Sequence, residues 1–350
     1  KNNFFNGQKM NANNKTYKQA GVDRDLSENI KQTISRFAKL THNDQVVQNQ
    51  NNFAGYFSLD KFKNPILVST TDNVGTKIII AKLIGHLESI GIDLVNLNIN
   101  DLITSGAVPL FFLDYISASE LNAVEIEAIV RGISWACHEH NCPLLGGETA
   151  QQPGLYSKNG LDLAGFVVGA LEKEKMLDPS SISIGDSLIA LPSNGLHTNG
   201  FSLVRKVFNI DNDPKILYKT FPELEHSLGE ELLRPHKSYF KEIQEVKDLI
   251  RIAAHISGGG IAENLGRLLP EKTSALIKTK SWTFPPIFNL LKEKGNLLPE
   301  EMFKTFNMGI GMILVSSVEN ESKILDLLPK SFVIGNVHEG QGAAQVRLDF

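Results

Sequence analysis

The chain has 350 residues, which at roughly 150 per domain predicts about two domains. Its 35 Lys and Arg against 39 Asp and Glu give a net charge of −4, and 42% of residues are hydrophobic. That balance argues against a protein built to grip nucleic-acid phosphates and against a disordered chain, and no apolar run approaches the roughly 18 residues of a membrane span. Two cysteines exclude a disulfide scaffold and fit a reducing, cytoplasmic compartment.

The polar stretch Lys1–Lys9 before Met10 lacks the apolar run of a secretory signal, so residues 1–16 are read as a disordered preface outside the fold. A helix is predicted over about 25–40, followed by a mobile Gln/Asn-rich loop, Gln45–Asn52, and a strand from Ile66 to Thr70. Ile92, Val95, Ile99 and Leu102–Ile103 recur at helical spacing; Leu110–Ile116 reads as a strand and Val124–Cys137 as an amphipathic helix. Strands at Cys142–Leu145 and Leu163–Leu171 complete a first layer set. The charged, Asp-Pro-containing segment Glu172–Gly185 marks a domain boundary near residue 175. Beyond it the layering repeats, with strands at 187–191, 251–256, 274–278, 310–315, 332–338 and 344–349. Helices are expected at 200–208, across 228–249, and at 261–268, 286–294, 299–305 and 320–328. The alternation predicts a two-domain α/β (α+β) protein with layered mixed sheets and helices.

Five polar or glycine-rich clusters punctuate these elements. In Ser69–Lys77 a strand ends near Asp72, suited to a hard cation, and a glycine leads into a helix whose Lys77 suits phosphate oxygens. A simple helix cap would look the same. Asp93, Asn96 and Asn100 share one helix face, with Asp101 beside them. Such residues are poor helix formers, and a solvated face would more naturally use Lys and Glu, so a ligand or metal role is expected. In Leu145-Gly146-Gly147-Glu148 the paired glycines after a strand allow close backbone approach, with a carboxylate alongside. Ser193–Gly200 precedes a helix, a setting suited to an anion, with His197 as a candidate acid. His255-Ile256-Ser257-Gly258-Gly259-Gly260 repeats the strand–glycine–helix design; a lone histidine there is more often structural than catalytic. Asp72, Asp101 and Glu148 are expected to gather around Mg²⁺. The Cys137–Cys142 stretch matches no paired zinc-ligand spacing, and neither a P-loop, a dinucleotide fingerprint nor a nucleophile elbow is present.

Asp101-Leu-Ile-Thr-Ser-Gly106-Ala107-Val-Pro109 resembles the Asp-x₄-Gly-Ala-x-Pro signature of an ATP-binding superfamily that includes aminoimidazole ribonucleotide synthetase, selenophosphate synthetase and thiamine-phosphate kinase. Tyr17–Asp23, Thr71–Lys77, Pro109–Tyr115, Gly146–Ala150, Gly195–Arg205, Ala254–Gly260 and Thr305–Met312, in that order, are similar to the phosphoribosylformylglycinamidine cyclo-ligase family. The chain departs from that family before the first strand, where Gln50–Tyr56 replaces a glycine-rich stretch and keeps only Gly55, and at Asn73, which replaces a glycine.

The resemblance implies an ATP- and Mg²⁺-dependent cyclo-ligase of purine biosynthesis. Such an enzyme converts formylglycinamidine ribonucleotide to aminoimidazole ribonucleotide through an iminophosphate. Residues 17–174 would bind ATP and form a barrel-like homodimer interface, and residues 175–350 would bind substrate. It implies Asp72, Asp101 and Glu148 for the metal; Lys31, Thr71, Lys77, Asn100, Gly146 and Gly147 for ATP; Gly195, His197, Asn199, Gly200 and Gly258–Gly260 for substrate; and His197, Lys77 and His255 for catalysis. Neither a nucleic-acid nor a membrane partner is implied. A selenophosphate synthetase would need a reactive cysteine before Cys137, and the related hydrogenase maturation protein a C-terminal cysteine in place of Leu348-Asp349-Phe350. A nucleotide-binding regulator without catalysis would not need the acids and glycine loops.

Overall fold

The computed structural model describes residue 19 and residues 24–48 and 54–350. The preface, most of the Tyr17–Asp23 motif, and residues 49–53 of the Gln/Asn-rich loop lie outside the described residues. The start of that loop is ordered: β1 (Val46–Val47) pairs antiparallel with β2 (Tyr56–Phe57).

The first half opens with α1 (Arg24–Thr41). It continues through β3 (Pro65–Asn73), α2 (Lys77–Ile84), α3 (Glu88–Ile103), β4 (Val108–Ala118), α4 (Ala123–Glu139), β5 (Leu144–Gln151) and β6 (Leu161–Glu172). These strands form one sheet in the order β3-β6-β4-β5, antiparallel except for β4 with β5. Helices α3 and α4 cover one face. They cross so closely that a Cβ at Gly91 or Gly132 would overlap the backbone of the other helix, so both positions need glycine. Side chains alternate across each strand, so Val167, Phe112, Ile116 and Leu163 enter the helix-covered core, while Leu67, Phe166 and Tyr115 point to the other face. Leu67 is 59% exposed and Phe166 41% exposed.

The second half runs through β7 (Ser187–Pro192), α5 (Phe201–Val207), α6 (Leu228–Leu232), α7 (Phe240–Val246), β8 (Ile252–His255), α8 (Gly260–Gly266) and β9 (Thr273–Lys278). Then come α9 (Pro286–Gly295), α10 (Pro299–Thr305), β10 (Ile310–Ser316), α11 (Val318–Leu327), β11 (Phe332–Glu339) and β12 (Gln345–Asp349). Its six strands are ordered β12-β9-β11-β7-β10-β8, with only the β12–β9 pair parallel. Strands β7, β8 and β10 are buried on both faces and read as continuous apolar runs.

Gly146 and Gly147 lie within β5 rather than in a turn after it, and their setting explains the second of them. Gly147 sits opposite Asp114 on β4, and a Cβ there would overlap Asp114 Oδ1. Asp114 is itself buried on the helix-covered face, and burial pushes its carboxyl up to about 7. As pH climbs past the ordinary carboxyl value, the unfolded chain ionises while the native Asp114 stays protonated, so native stability falls until about pH 7. Relative to Asp114→Asn, wild type should therefore lose on the order of 3–4 kcal/mol between about pH 4 and pH 8 in denaturant titrations. Parallel stability curves for the two proteins would contradict this.

Candidate active site

The polar face of α3 is sequestered, and what it holds is backbone. Asp93 Oδ1 accepts the His236 N–H at 2.6 Å and Asn96 Nδ2 donates to the His236 carbonyl at 2.7 Å. Asn100 Nδ2 donates to the Lys237 carbonyl at 2.8 Å, while its Oδ1 accepts the Tyr239 N–H at 2.9 Å. From α2, Lys77 Nζ donates to the Arg234 carbonyl at 2.8 Å and pairs with Asp93 Oδ2 at 2.7 Å, both side chains being fully buried. The segment Arg234–Tyr239, which has no regular structure of its own, is thus held by side chains of the first half. Asn96 is oriented in turn by His140, whose Nε2 lies 2.9 Å from Asn96 Oδ1. Burial, with Lys241 adding, lowers the His140 pKa to about 4, so the ring is neutral and Nε2–H is the donor.

Two sequence expectations are corrected here. Lys77, expected on ATP phosphates, has no exposed surface. Burial pushes its ammonium down and the Asp93 carboxyl up, each opposed by the other's charge. Asn100, expected beside ATP, has both ends of its amide committed to the Lys237–Tyr239 backbone. Asp93, Asn96 and Asn100 are there because an irregular stretch of main chain must be satisfied away from water.

Holding Arg234–Tyr239 in place delivers His236, absent from the sequence-based candidates, into a buried cluster. His236 Nε2 lies 3.1 Å from His255 Nε2, and His255 Nδ1 lies 2.7 Å from Asp101 Oδ1. Thr198 Oγ1 approaches His236 Nδ1 at 3.3 Å. His197 stacks on His236 with ring centroids 4.0 Å apart and planes 23° apart. Its backbone is left-handed (φ 63°), and neither of its ring nitrogens has a partner. Burial pushes the pKa of both His197 and His236 far down, and neighbouring cationic groups add to this, so both rings are neutral. The nearest ring nitrogens of the three histidines come within 4.8 Å of one another. However, a metal ion must lie in the plane of each imidazole it binds, and the nearly parallel His197 and His236 planes do not converge on one point nearby. Hydrogen bonding of His236 and His255, with His197 stacked on His236, accounts for the arrangement without ligation.

Asp72 lies close enough to Asp101 for that charge to raise its carboxyl. Partial burial is the larger cause, and the Asn73 N–H works against both. The turn after β3 abuts the loop before α5: Thr76 Oγ1 is 3.2 Å from Ser202 Oγ, and Gly75 faces the Thr198 carbonyl. Asn199 Oδ1 sits beside Gly258, so the two glycine loops meet. Gly195 and Gly200 both take positive φ, and Asn307 Nδ2 holds the Gly195 carbonyl at 2.9 Å. Gly259 and Gly260 also take positive φ at the start of α8. Asp72, Asp101, His197, His255, Asn199 and the glycine loops therefore form one neighbourhood.

Other expected members stand apart. Thr71 points to the uncovered sheet face and bonds the Gly165 carbonyl at 2.9 Å. Glu148 pairs with Tyr115, placing it on that same uncovered face, whereas Asp72 is in register with Gly165 and Asp114 on the opposite face. Strands β6 and β4 also separate Glu148 from Asp72. The three-acid metal site is therefore corrected: within one chain Asp72 and Asp101 converge and Glu148 does not. Gly146 and Gly147, on the same strand as Glu148, share its separation. Lys31 is exposed on α1, which packs on α4, and lines a surface groove with Arg36 and Lys39.

Comparison with known proteins covers both halves. Residues 58–171 match a family described as AIR synthase related protein, N-terminal domain, and residues 183–347 its C-terminal domain. The chain is 43% identical over 332 residues to the phosphoribosylformylglycinamidine cyclo-ligase of Thermoanaerobacter pseudethanolicus, covering 93% of this chain and 98% of that protein. It is 44% identical over 333 residues to the enzyme of the same name from Alkaliphilus oremlandii, covering 93% and 97%. Among solved structures, thiamine-monophosphate kinase from Stenotrophomonas maltophilia K279a shares the fold with a TM-score of 0.66 at 18% identity, over 90% of this chain and 95% of that one. The Escherichia coli protein HypE does so with a TM-score of 0.63 at 15% identity, over 92% and 93%.

The buried Lys77–Asp93 pair makes a direct stability prediction. Either Lys77→Met or Asp93→Asn alone leaves an uncompensated buried partner and should cost about 3–5 kcal/mol in denaturant unfolding. A loss below about 1 kcal/mol for both would show that the pair does not hold this region together.

Proposed function

The chain belongs to the phosphoribosylformylglycinamidine cyclo-ligase family, and from that membership and the cluster above we propose how its own residues work. The protein is an ATP-dependent cyclo-ligase of purine biosynthesis, converting formylglycinamidine ribonucleotide and ATP to aminoimidazole ribonucleotide, ADP and phosphate. An amide oxygen is a poor leaving group. Transfer of the ATP γ-phosphoryl group to it gives an iminophosphate. The amidine nitrogen of the same molecule then attacks that carbon and phosphate departs, closing the ring. Holding both ends of the substrate in attack geometry supplies much of the acceleration.

The observation that carries the site assignment is the 2.7 Å Asp101–His255 contact beside Asp72. Asp72 and Asp101 fit Mg²⁺, which takes one or two carboxylates with the remaining positions filled by water and substrate phosphate. Burial and the neighbouring Asp101 charge both raise the cost of ionising Asp72, which favours such a cation. Bound there, Mg²⁺ would offset phosphate charge during transfer. The Gly195–Gly200 and Gly258–Gly260 loops, meeting at Asn199, are placed to hold the ribonucleotide phosphate and the reacting amide. His197, whose ring nitrogens have no partner in the protein, is the ring that can hydrogen-bond the reacting amide.

A domain boundary near residue 175 is supported by the two short 3₁₀ turns, Lys173–Lys175 and Pro179–Ser181, that separate the two sheets. On this reading residues 17–174 carry ATP and the subunit contact, and residues 175–350 carry substrate. The apolar uncovered sheet face, with Leu67 and Phe166 exposed, supports a homodimer closed face to face, and Glu148 would lie on that contact. Cys137 and Cys142, both free thiols, suit a reducing cytoplasm.

Purified protein should consume ATP only when formylglycinamidine ribonucleotide is present and release an aminoimidazole. Substrate-independent ATP turnover would contradict the assignment. Asp72→Asn should lower kcat on the order of 100-fold with an unchanged circular dichroism spectrum; normal kinetics would remove Asp72 from the site. Phe166→Glu should shift the protein from dimer to monomer in light scattering, and an unchanged mass would move the subunit contact elsewhere.

A further inference from the structure

The buried histidines have a hydrogen-bond polarity that can be worked out atom by atom. A carboxylate oxygen only accepts, so the 2.7 Å contact at Asp101 Oδ1 requires the proton of His255 to sit on Nδ1. In a neutral ring that leaves His255 Nε2 as an acceptor. The ring facing it at 3.1 Å, His236, must then donate from its own Nε2. His236 Nδ1 becomes the acceptor, and the hydroxyl that reaches it at 3.3 Å, Thr198 Oγ1, supplies the proton. Every link points one way. The first-half anchors fix the register of the chain, because Asp93 and Asn96 hold the His236 backbone from both its N–H and its carbonyl.

We propose that Thr198 and His236 are positioning residues: through the chain Thr198→His236→His255→Asp101 they hold His255 in its Nδ1–H form against Asp101. His255 is then not an open acid–base group, since both its nitrogens are engaged. Its work is to orient the Asp101 carboxylate toward the metal and phosphate side. His197, stacked on His236 and without a partner at either nitrogen, is the one ring of the three left with nitrogens that can hydrogen-bond substrate. Orientation by an outer carboxylate–imidazole contact of this kind is a general way of tuning a metal-binding carboxylate or its neighbour. The proposal rests on the reading of Asp101 as part of the ATP site.

Two measurements on the full-length protein test it. With ¹⁵N-labelled histidine, the unliganded wild type should show His255 protonated on Nδ1 and His236 on Nε2, with a through-hydrogen-bond ¹⁵N–¹⁵N coupling joining their Nε2 atoms. His236→Phe keeps a flat ring against His197 but cannot donate; it should lower kcat by about tenfold or more with KM for both substrates little changed. His236→Gln restores a donor and should recover most of that loss. The opposite tautomers, a missing coupling, full kcat in His236→Phe, or equal losses in the two variants would each overturn the proposal. If His236→Phe does not fold, the wild-type spectrum decides alone. Wild type that fails to close the ring would instead overturn the assigned reaction, while the coupling would still report on the hydrogen-bond chain.

Discussion

A single buried ion pair, Lys77 with Asp93, sits where the two halves of the chain meet, and the site is assembled around it. Neither charge reaches water, so each depends on the other and on the main chain beside it: Lys77 on the Arg234 carbonyl, Asp93 on the His236 N–H. With Asn96 and Asn100 added, α2 and α3 satisfy five of the backbone polar groups of a six-residue segment that forms neither helix nor strand. Burying His236 and Tyr239 in irregular backbone is tolerated only under that condition. Its reward is the placement of His236 between Thr198 and His255, the ring that contacts Asp101.

Much of the fold was legible in the sequence because periodicity is a local property. The strands at 187–192, 310–316 and 332–339 and the helices at 24–41, 123–139 and 286–295 follow from runs and stripes of apolar residues. Glycine clusters correctly marked the loops around His197 and Gly258. The site was legible in part. The Asn/Asp face of α3 stood out as needing a reason, but a row of amides that binds a ligand and one that binds a neighbouring backbone look alike until the partner segment is placed.

Three features hidden from the sequence have a common physical cause. In the sequence Glu148 and Asp72 each look like a strand-end acid beside a turn, and only the register across β3-β6-β4-β5 reveals that Glu148 is mid-strand and that the two point to opposite faces. Gly147 likewise has no room for a side chain beside Asp114 on the adjacent strand. His236 lies in Arg234-Pro235-His236, without periodicity or a glycine nearby; its only sequence signal was a histidine next to a proline. Long-range pairing supplies these facts, and local pattern does not contain them.

The central claim, that first-half side chains hold Arg234–Tyr239 rigidly, is tested most directly by native-state amide hydrogen exchange at His236 and Tyr239. These two N–H groups donate to Asp93 and Asn100. The account predicts that both exchange only through global unfolding, as slowly as amides in the buried strand β10, despite lying in irregular backbone. Exchange at the rate of an open surface loop would contradict it.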